Sequence, residues 1–188
     1  MKTRITLVNP PYPAGSHQHP PFMPLGIGYL GAVLYKNHFE VNVIDCQAQK
    51  ISHQQFREEI TKYKPDIVGV TSTTLTYKSA LKIIKTAKEV FPNCITAIGG
   101  PHVTFWDDKA LKEAPSLDIV IRGEGEQTML DLAQRVENNQ AFHDLIGTTC
   151  RKDGEIIKYP DRPFMENLDS LPFPALHLWE KLGEIRKY

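Results

Sequence analysis

Four short segments combine glycines, hydroxyls, amides and charges in a way that suits ligand binding. They are Asn9-Pro10-Pro11, Thr71-Ser72-Thr73-Thr74, Gly99-Gly100-Pro101-His102-Val103-Thr104 and Arg122-Gly123-Glu124-Gly125-Glu126. Glycines let a ligand approach the backbone closely, and hydroxyls and amides supply short-range hydrogen bonds. The residue types predict a site for a large polar ligand with a flat apolar body.

Each segment also has a plainer explanation. The Gly99-Gly100 pair is a common way to leave a strand. The hydroxyl run can cap the helix that follows at Tyr77. Arg122, Glu124 and Glu126 can form a solvated charge cluster. The two glutamates can also act as an acid/base pair, although adjacent loop charges more often cap a helix or bind a ligand amide.

The elements that position these segments follow from hydrophobic periodicity. Apolar runs of strand length alternate with amphipathic runs of helix length as far as about residue 138, which predicts βα units on a mostly parallel sheet. The predicted strands are 5–9, 41–45, 66–70, 95–98 and 119–121, and the predicted helices are 25–37, 52–62 with Ser52 as cap, 77–91, 108–114 and one containing 129–136. Asp153-Gly154 predicts a tight hairpin turn between 147–151 and 155–159.

The fold class is therefore α/β, a doubly wound parallel sheet of five strands with a small C-terminal β-hairpin extension. All four segments follow the carboxyl end of a predicted strand, namely the first, third, fourth and fifth. In such sheets ligands bind outside the carboxyl ends, where the strand order reverses. Coincidence at four equivalent strand ends favours one shared site.

Composition excludes several classes of partner. Among 188 residues, Lys and Arg total 22 and Asp and Glu total 22, so no net field gathers nucleic acid or an anionic membrane. The first residues lack a signal-peptide pattern, and no run reaches the length of a membrane helix. Three cysteines without a Cys-x-x-Cys pair favour a reducing compartment, and we expect a cytoplasmic protein.

An ordered set of motifs resembles a known family. Asn9-Pro10-Pro11, Pro24-Leu25-Gly26-Ile27-Gly28-Tyr29-Leu30, Gly99 to Thr104 and Arg122 to Glu126 together resemble the cobalamin-binding N-terminal domain of cobalamin-dependent radical S-adenosylmethionine enzymes. The resemblance covers residues 3–138. The tail Asn167-Leu168-Asp169-Ser170-Leu171-Pro172-Phe173-Pro174-Ala175 is similar to the linker that leads into their catalytic barrel.

The resemblance implies a flavodoxin-like, or Rossmann-like, domain whose strand-end loops face cobalamin. It places Thr71 to Thr74 and Gly99-Gly100 along the nucleotide tail, and the other loops near the corrin ring or its amides. The residues expected to bind the cofactor are Asn9, Pro10, Pro11, Pro24, Leu25, Gly26, Thr71, Ser72, Thr73, Thr74, Gly99, Gly100, Pro101, His102, Val103, Thr104, Arg122, Gly123, Glu124, Gly125 and Glu126.

The chain departs from another type of cobalamin domain, in which Asp-x-His-x-x-Gly follows the first strand and its imidazole ligates cobalt. This motif is absent here. His17 and His19 fall in the corresponding loop with unmatched neighbours, and His102 suits packing or hydrogen bonding better than coordination. We expect cobalt to be bound without a protein histidine, and we predict no metal ligand in this chain.

A rival interpretation comes from Gly26-x-Gly28-x-x-Gly31, which fits the dinucleotide fingerprint, with Asp45 in the place of a ribose-binding acid. That pattern would predict a flavin or nicotinamide site. Its first glycine must form the turn directly after the strand. Here residues 10–25 intervene and the glycines fall within a helix, where close packing explains them better.

The catalytic half of the family needs Cys-x-x-x-Cys-x-x-Cys to hold a four-iron four-sulfur cluster, and Cys46, Cys94 and Cys150 cannot supply it. The cluster and S-adenosylmethionine are therefore expected only in a missing catalytic domain, present in cis or in trans. We expect a cobalamin-binding domain at 1–140, a hairpin extension at 141–160 and a linker at 161–188. The parent protein would be a methyltransferase or a related enzyme, and a ligand-free interaction domain stays open as an alternative.

Overall fold

The computed structural model describes residues 2–13, 15–16 and 22–180. Seven strands form one mixed sheet in the order β2-β1-β3-β4-β5-β6-β7. The strands are β1 (Arg4–Asn9), β2 (Glu40–Asp45), β3 (Ile67–Thr71), β4 (Ile95–Gly99), β5 (Ile119–Ile121), β6 (Thr148–Lys152) and β7 (Glu155–Lys158). The helices are α1 (Leu25–Lys36), α2 (His53–Tyr63), α3 (Tyr77–Val90), α4 (Pro101–Thr104), α5 (Asp107–Glu113), α6 (Glu126–Glu137) and α7 (His177–Glu180), with a 3-10 helix at Leu168–Ser170.

The first five strands are parallel and confirm the predicted doubly wound fold. Their order, 2-1-3-4-5, is the flavodoxin order, in which the direction of winding reverses between β1 and β3. The predicted hairpin forms β6 and β7, which extend the same sheet: β6 pairs antiparallel with β5, and β7 pairs antiparallel with β6. The sheet therefore has seven strands, five of them parallel.

Each face of the sheet has its own hydrophobic core. One core lies under α1 and α6 and contains Leu7, Ile119 and Ile121. The other lies under α2, α3 and α5 and contains Val8, Val68 and Ile98 among others. Odd and even positions of a strand point to opposite faces, so the near-continuous apolar runs supply both cores at once.

Two local predictions can be compared directly with the structure. Ser52 caps α2 as expected, and Gln55 completes a capping box with it. The predicted loop after Gly100 is wrong, because Pro101 to Thr104 form α4. Pro101 suits the start of this short helix for two reasons. Its fixed φ is helical, and the amide hydrogen that it lacks would have no partner in the first turn.

The C-terminal segment, residues 161–180, packs on the domain through its last residues, while Phe164, Leu168 and Phe173 are exposed. Ala175, Leu178 and Trp179 are buried in the core beneath α1. The amide of Ala175 donates to the carbonyl of Gly28 at 3.0 Å. A Cβ atom at Gly28 would lie 2.9 Å from Cβ of Pro174, and one at Gly31 would lie 2.8 Å from Cδ1 of Leu178. The glycines of α1 thus serve close packing, against this segment.

No helix within residues 2–13, 15–16 and 22–180 is long and apolar enough to cross a membrane.

The packing of α1 predicts opposite effects for two glycine substitutions. Gly28→Ala should lower the melting temperature, because overpacking against the rigid Pro174 ring costs about 1–3 kcal/mol and outweighs the helix-propensity gain of about 1 kcal/mol. Gly26→Ala is the matched control in the same helix. It should raise the melting temperature slightly, since nothing lies within 4 Å of its Cβ position. Thermal unfolding followed by circular dichroism measures both. Equal melting temperatures for the two variants would contradict the proposed contact.

Candidate functional site

A cavity of about 320 Å³ lies between the sheet and helices α1 and α6, at the carboxyl edge. We call it the glycine cavity. It is lined by Leu7, Gly26, Ile27, Leu30, Gly69, Val70, Thr71, Ala97, Ile98, Gly99, Gly100, Ile121, Gly123, Glu124, Gly125, Glu126 and Met129. Its walls come from four adjacent parallel strands and both helices, so it occupies the position where flavodoxin-like sheets bind ligands.

Small residues on one face of the sheet create this space. Gly69, Ala97 and Gly99 alternate with larger residues and share the face of Leu7 and Ile121. Full-sized side chains at these positions would meet the helices above them. A Cβ at Gly69 would lie 3.2 Å from Cδ2 of Leu7, which shows how tight the adjoining core is. The cavity is therefore a gap left by absent side chains.

Gly100 must be a glycine for two reasons. Its φ is +104°, a conformation that other residues rarely adopt. A Cβ there would lie 2.6 Å from the carbonyl oxygen and 2.9 Å from the amide nitrogen of Ser72. The β4 loop thus lies directly on the backbone of the β3 loop. Turn geometry explains Gly100, whereas Gly99 has no positive φ and lines the cavity.

The hydroxyl run reaches the start of α3, where the Thr73 hydroxyl accepts from the Thr76 amide at 3.4 Å. Thr76 occupies the cap position and makes no side-chain capping bond. Its hydroxyl is instead 3.1 Å from the hydroxyl of Thr73, and it accepts from the Thr73 amide at 3.1 Å. Ser72 is buried, and Thr71 lines the glycine cavity. The run fixes the β3 loop and presents Thr71 to the cavity.

His102 is engaged in contacts at the edge of the site. Its Nδ1 lies 3.2 Å from the hydroxyl of Thr74. Its ring packs 4.4 Å from the ring of Tyr77 and 6.0 Å from that of Trp106, both tilted. These contacts agree with the packing and hydrogen-bonding role expected from the sequence. His17 and His19 lie outside the described residues.

Asn9 and Asp45 form a polar contact between the ends of β1 and β2. The Asn9 amide donates to Oδ1 of Asp45 at 2.9 Å, and the Gln47 side chain donates to Asn9 at 3.2 Å and to the Pro10 carbonyl at 2.9 Å. Asp45 is fully buried and also accepts from the backbone amide of Ala48. Its burial conflicts with ribose binding. With the glycines of α1 inside the helix, the dinucleotide alternative is not favoured.

Arg122 is buried and points away from the cavity into an ionic network whose partner Asp161 is exposed. It is 4% exposed, so the solvated-cluster interpretation is wrong for this residue. Its guanidinium donates to Asp161 at 2.7 and 3.0 Å, to the Thr149 hydroxyl at 2.5 Å and to the Tyr159 carbonyl at 2.6 Å. Asp107 lies 3.7 Å away. All three guanidinium nitrogens are thus engaged by protein groups.

The residues after Arg122 do reach the cavity. Gly123, Glu124 and Glu126 line it, and the Glu124 carboxylate accepts from the Met165 amide at 2.7 Å. This bond joins the C-terminal segment to the cavity wall. Helix α6 begins at Glu126 without a side-chain cap, and α1 also lacks one. The first-turn amides of both helices are therefore available to acceptors at the carboxyl edge.

Eight of the expected binding residues line the cavity. They are Gly26, Thr71, Gly99, Gly100, Gly123, Glu124, Gly125 and Glu126. Nine lining residues were not anticipated, and they are Leu7, Ile27, Leu30, Gly69, Val70, Ala97, Ile98, Ile121 and Met129. Gly69 carried a readable signal, because a glycine inside a strand often marks a place where a ligand or backbone approaches closely. The others are indistinguishable from core residues in sequence.

The thiols offer no metal or redox site. Burial raises the pKa of Cys46 to about 12 and the pKa of Cys94 and Cys150 to about 11, so all three are protonated at neutral pH. Within the part of the chain that the structure describes, no cluster of three or more His, Cys, Asp or Glu residues is placed to hold a metal ion.

The fold and the cavity define a flavodoxin-like domain with a candidate ligand site at its carboxyl edge. Comparison with known families is more specific. The family model described as the B12 binding domain matches residues 19–133, well over half of the chain. The chain belongs to the B12-binding domain family, and its cofactor is cobalamin.

Relatives of the chain are longer proteins. It is 35% identical over 185 residues to the anaerobic magnesium-protoporphyrin IX monomethyl ester cyclase of Rubrivivax gelatinosus, covering 95% of this chain and 33% of that protein. It is 34% identical over 155 residues to an uncharacterized methyltransferase of Pyrococcus horikoshii, covering 82% of this chain and 34% of that one. The chain thus spans about a third of these curated relatives.

A solved structure shares the fold. The cobalamin-dependent S-adenosylmethionine radical enzyme OxsB, with aqua-cobalamin and S-adenosylmethionine bound, matches with a TM-score of 0.82 at 24% identity. The match covers 99% of this chain and 25% of that chain. Cobalamin-binding modules of radical S-adenosylmethionine enzymes are therefore what this domain resembles, as the sequence motifs implied.

The ionic network predicts a pH-dependent contribution to stability from Asp107. Burial acts to raise the pKa of Asp107, but hydrogen bonds from Thr149 and Lys158 outweigh it and the pKa is lowered. A lowered pKa means that the carboxylate stabilises the fold above about pH 4 and loses this effect as the pH falls further. Asp107→Asn should lower the free energy of unfolding at neutral pH by about 2 kcal/mol, because charge-assisted hydrogen bonds from Thr149 and Lys158 are weakened while Arg122 keeps Asp161 as a partner.

Urea unfolding at neutral pH and near pH 3 measures this effect. The difference between wild type and Asp107→Asn should shrink in acid. Asp108→Asn is the control, because its half-exposed carboxylate pairs with Lys112 along α5 and should matter by less than about 1 kcal/mol. If the difference in free energy of unfolding between wild type and Asp107→Asn stays constant with pH, the carboxylate charge of Asp107 is not its cause.

Proposed function

We propose that the nucleotide tail of cobalamin enters the glycine cavity and that the corrin lies across the carboxyl edge above it. The observation that carries this proposal is the cavity itself, a gap at the strand-order reversal that is opened by Gly69, Ala97 and Gly99. A cavity of about 320 Å³ lies near the lower limit of small-molecule sites, about 300–1,000 Å³. It suits one extended part of cobalamin and leaves the corrin outside.

The segments that follow three of the parallel strands suit a flat apolar ring. Five exposed apolar residues follow the carboxyl ends of β1, β3 and β4 and form what we call the apolar rim. They are Phe22, Leu25, Leu75, Phe105 and Trp106, with exposures of 75, 54, 50, 86 and 36%. Exposed apolar side chains grouped around a cavity commonly mark a binding surface. Corrin contact would bury them.

Polar groups at the opening suit the polar parts of cobalamin. The uncapped first turns of α1 and α6 border the cavity, and helix N-termini bind phosphate groups well. They are candidates to hold the phosphodiester of the tail. Thr71 and the amides of the Gly99-Gly100 loop would contact the tail, and the loops at Pro10, Pro11, Pro24 and His102 would approach the ring.

Arg122 has a different part in this proposal. Because its guanidinium is saturated by protein partners, it would hold the Gly123–Glu126 wall in place without contacting the cofactor. His102, bonded to Thr74 and packed on Tyr77, would contact the ring edge, and no described histidine is assigned as a cobalt ligand.

The parent protein is proposed to be a radical S-adenosylmethionine enzyme, a methyltransferase or a relative of one. When bound, cobalamin would supply a cobalt centre able to carry an alkyl group, and this chain would bind and orient it. S-adenosylmethionine and the four-iron four-sulfur cluster would belong to a catalytic domain joined in cis or supplied in trans. The two relatives described above, a cyclase and a methyltransferase, have nearly equal identity to this chain, so the binding domain does not fix the reaction.

Substituting Gly99 tests the cavity directly. A Cβ at this position points to the cavity face and makes only ordinary contact, 3.5 Å from the Ile121 carbonyl oxygen, so the fold should accept Gly99→Ala. Gly99→Leu should fill the cavity and abolish retention of hydroxocobalamin, while Gly99→Ala should reduce it less than about tenfold, roughly the effect of one added methyl group.

The measurement is an ultraviolet-visible titration of the 188-residue chain with hydroxocobalamin, followed by desalting and a corrin spectrum. Circular dichroism confirms that each variant is folded. Retention by folded Gly99→Leu at the wild-type level would exclude the glycine cavity as the tail site. No retention by the wild type at saturating hydroxocobalamin would overturn cobalamin binding by this chain alone.

A further inference from the structure

Two glycine loops border the opening of the glycine cavity. Gly99-Gly100 follows β4, and Gly123 to Gly125 follow β5. Gly100 and Gly123 have positive φ angles of 104° and 65°. The distance between these loops sets the width of the opening, so whatever fixes them relative to each other also shapes the site.

One hydroxyl joins the two loops. Oγ1 of Thr104, at the end of α4, donates to the Gly100 carbonyl at 3.1 Å. The same oxygen accepts from the Gly123 amide at 3.2 Å. Thr104 is half-buried and does not line the cavity. Its contact with the site is therefore indirect, through the backbones of two residues that do line it.

The two loops differ in how else they are held. Gly100 lies against the Ser72 backbone, which fixes it by packing. Gly123 is exposed, and nothing lies within 4 Å of its Cβ position. Its neighbours are fixed, since the Arg122 amide donates to the Gly147 carbonyl at 2.8 Å and the Glu124 carboxylate accepts from Met165. The amide of Gly123 itself has its hydrogen bond with Thr104.

We propose that Thr104 is a positioning residue for the cofactor. Its hydroxyl fixes the β5 loop on the β4 loop and holds the opening at the width that the nucleotide tail requires. This inference rests on the proposed binding of the tail in the glycine cavity. It also revises the role expected from the sequence, in which Thr104 was a direct contact.

Removing the hydroxyl while keeping the side-chain shape tests this role. Thr104→Val should release hydroxocobalamin about fivefold faster than the wild type, the effect of roughly one net hydrogen bond. Thr104→Ser keeps the hydroxyl and should restore slow release. In the apo protein, the Gly123 amide should exchange with solvent faster in Thr104→Val, which hydrogen exchange followed by NMR measures without any cofactor.

Thr61→Val is the matched control. The Thr61 hydroxyl also donates to the carbonyl four residues earlier, at 2.6 Å to Arg57, but on the exposed side of α2. Thr61→Val should leave the rate of hydroxocobalamin release and the exchange rate of the Gly123 amide unchanged. Thermal unfolding of both valine variants shows whether any effect of Thr104→Val exceeds a general loss of stability.

The outcomes separate this inference from the proposed function. If the wild type retains hydroxocobalamin and Thr104→Val releases it equally slowly, the positioning role is wrong while cobalamin binding stands. Loss of the corrin by Thr104→Ser as fast as by Thr104→Val would also overturn it, because the hydroxyl is then not the cause. If the wild type binds no hydroxocobalamin, the proposed function fails first, and unchanged Gly123 exchange in Thr104→Val refutes the loop contact independently.

Discussion

Helices that cover a parallel sheet normally fill the layer beneath them with side chains. Here that filling stops over the carboxyl halves of β3 and β4, where one face carries Gly69, Ala97 and Gly99 while the other carries Val68 and Ile98. The site depends on this asymmetry. Because of this asymmetry, α1 and α6 border the cavity, its walls are largely apolar, and polar groups lie at the opening.

A layer that gives up packing in one place has to be stabilised in others. The C-terminal segment adds Leu178 and Trp179 to the core beneath α1. The ionic network around Arg122 fixes the end of β5 to the hairpin and to Asp161. Arg122, Leu178 and Trp179 do not line the cavity, so these contacts leave it open. The protein thus makes its own stabilising contacts outside the cavity, and the opening carries the polar loops.

The five parallel strands and most helices could be predicted because the apolar residues within each element show which of its positions are buried. The capping box at Ser52 is equally local. Helix α4 was missed because four residues are too few to show a period. The burial of Arg122 could not be predicted, since its partner Asp161 is 39 residues away in sequence. The glycines of α1 predicted close packing without revealing that Pro174 is the partner.

The packing of residues 174–179 on α1 also affects the order in which parts of the core form during synthesis. Helix α1 is made early during synthesis, but Gly28 and Gly31 meet Pro174 and Leu178 only after nearly all the described chain has left the ribosome. Until Trp179 arrives, the apolar layer over the sheet stays partly uncovered, as in other long-range topologies. The core beneath α1 is therefore complete only after residue 179 has been synthesised.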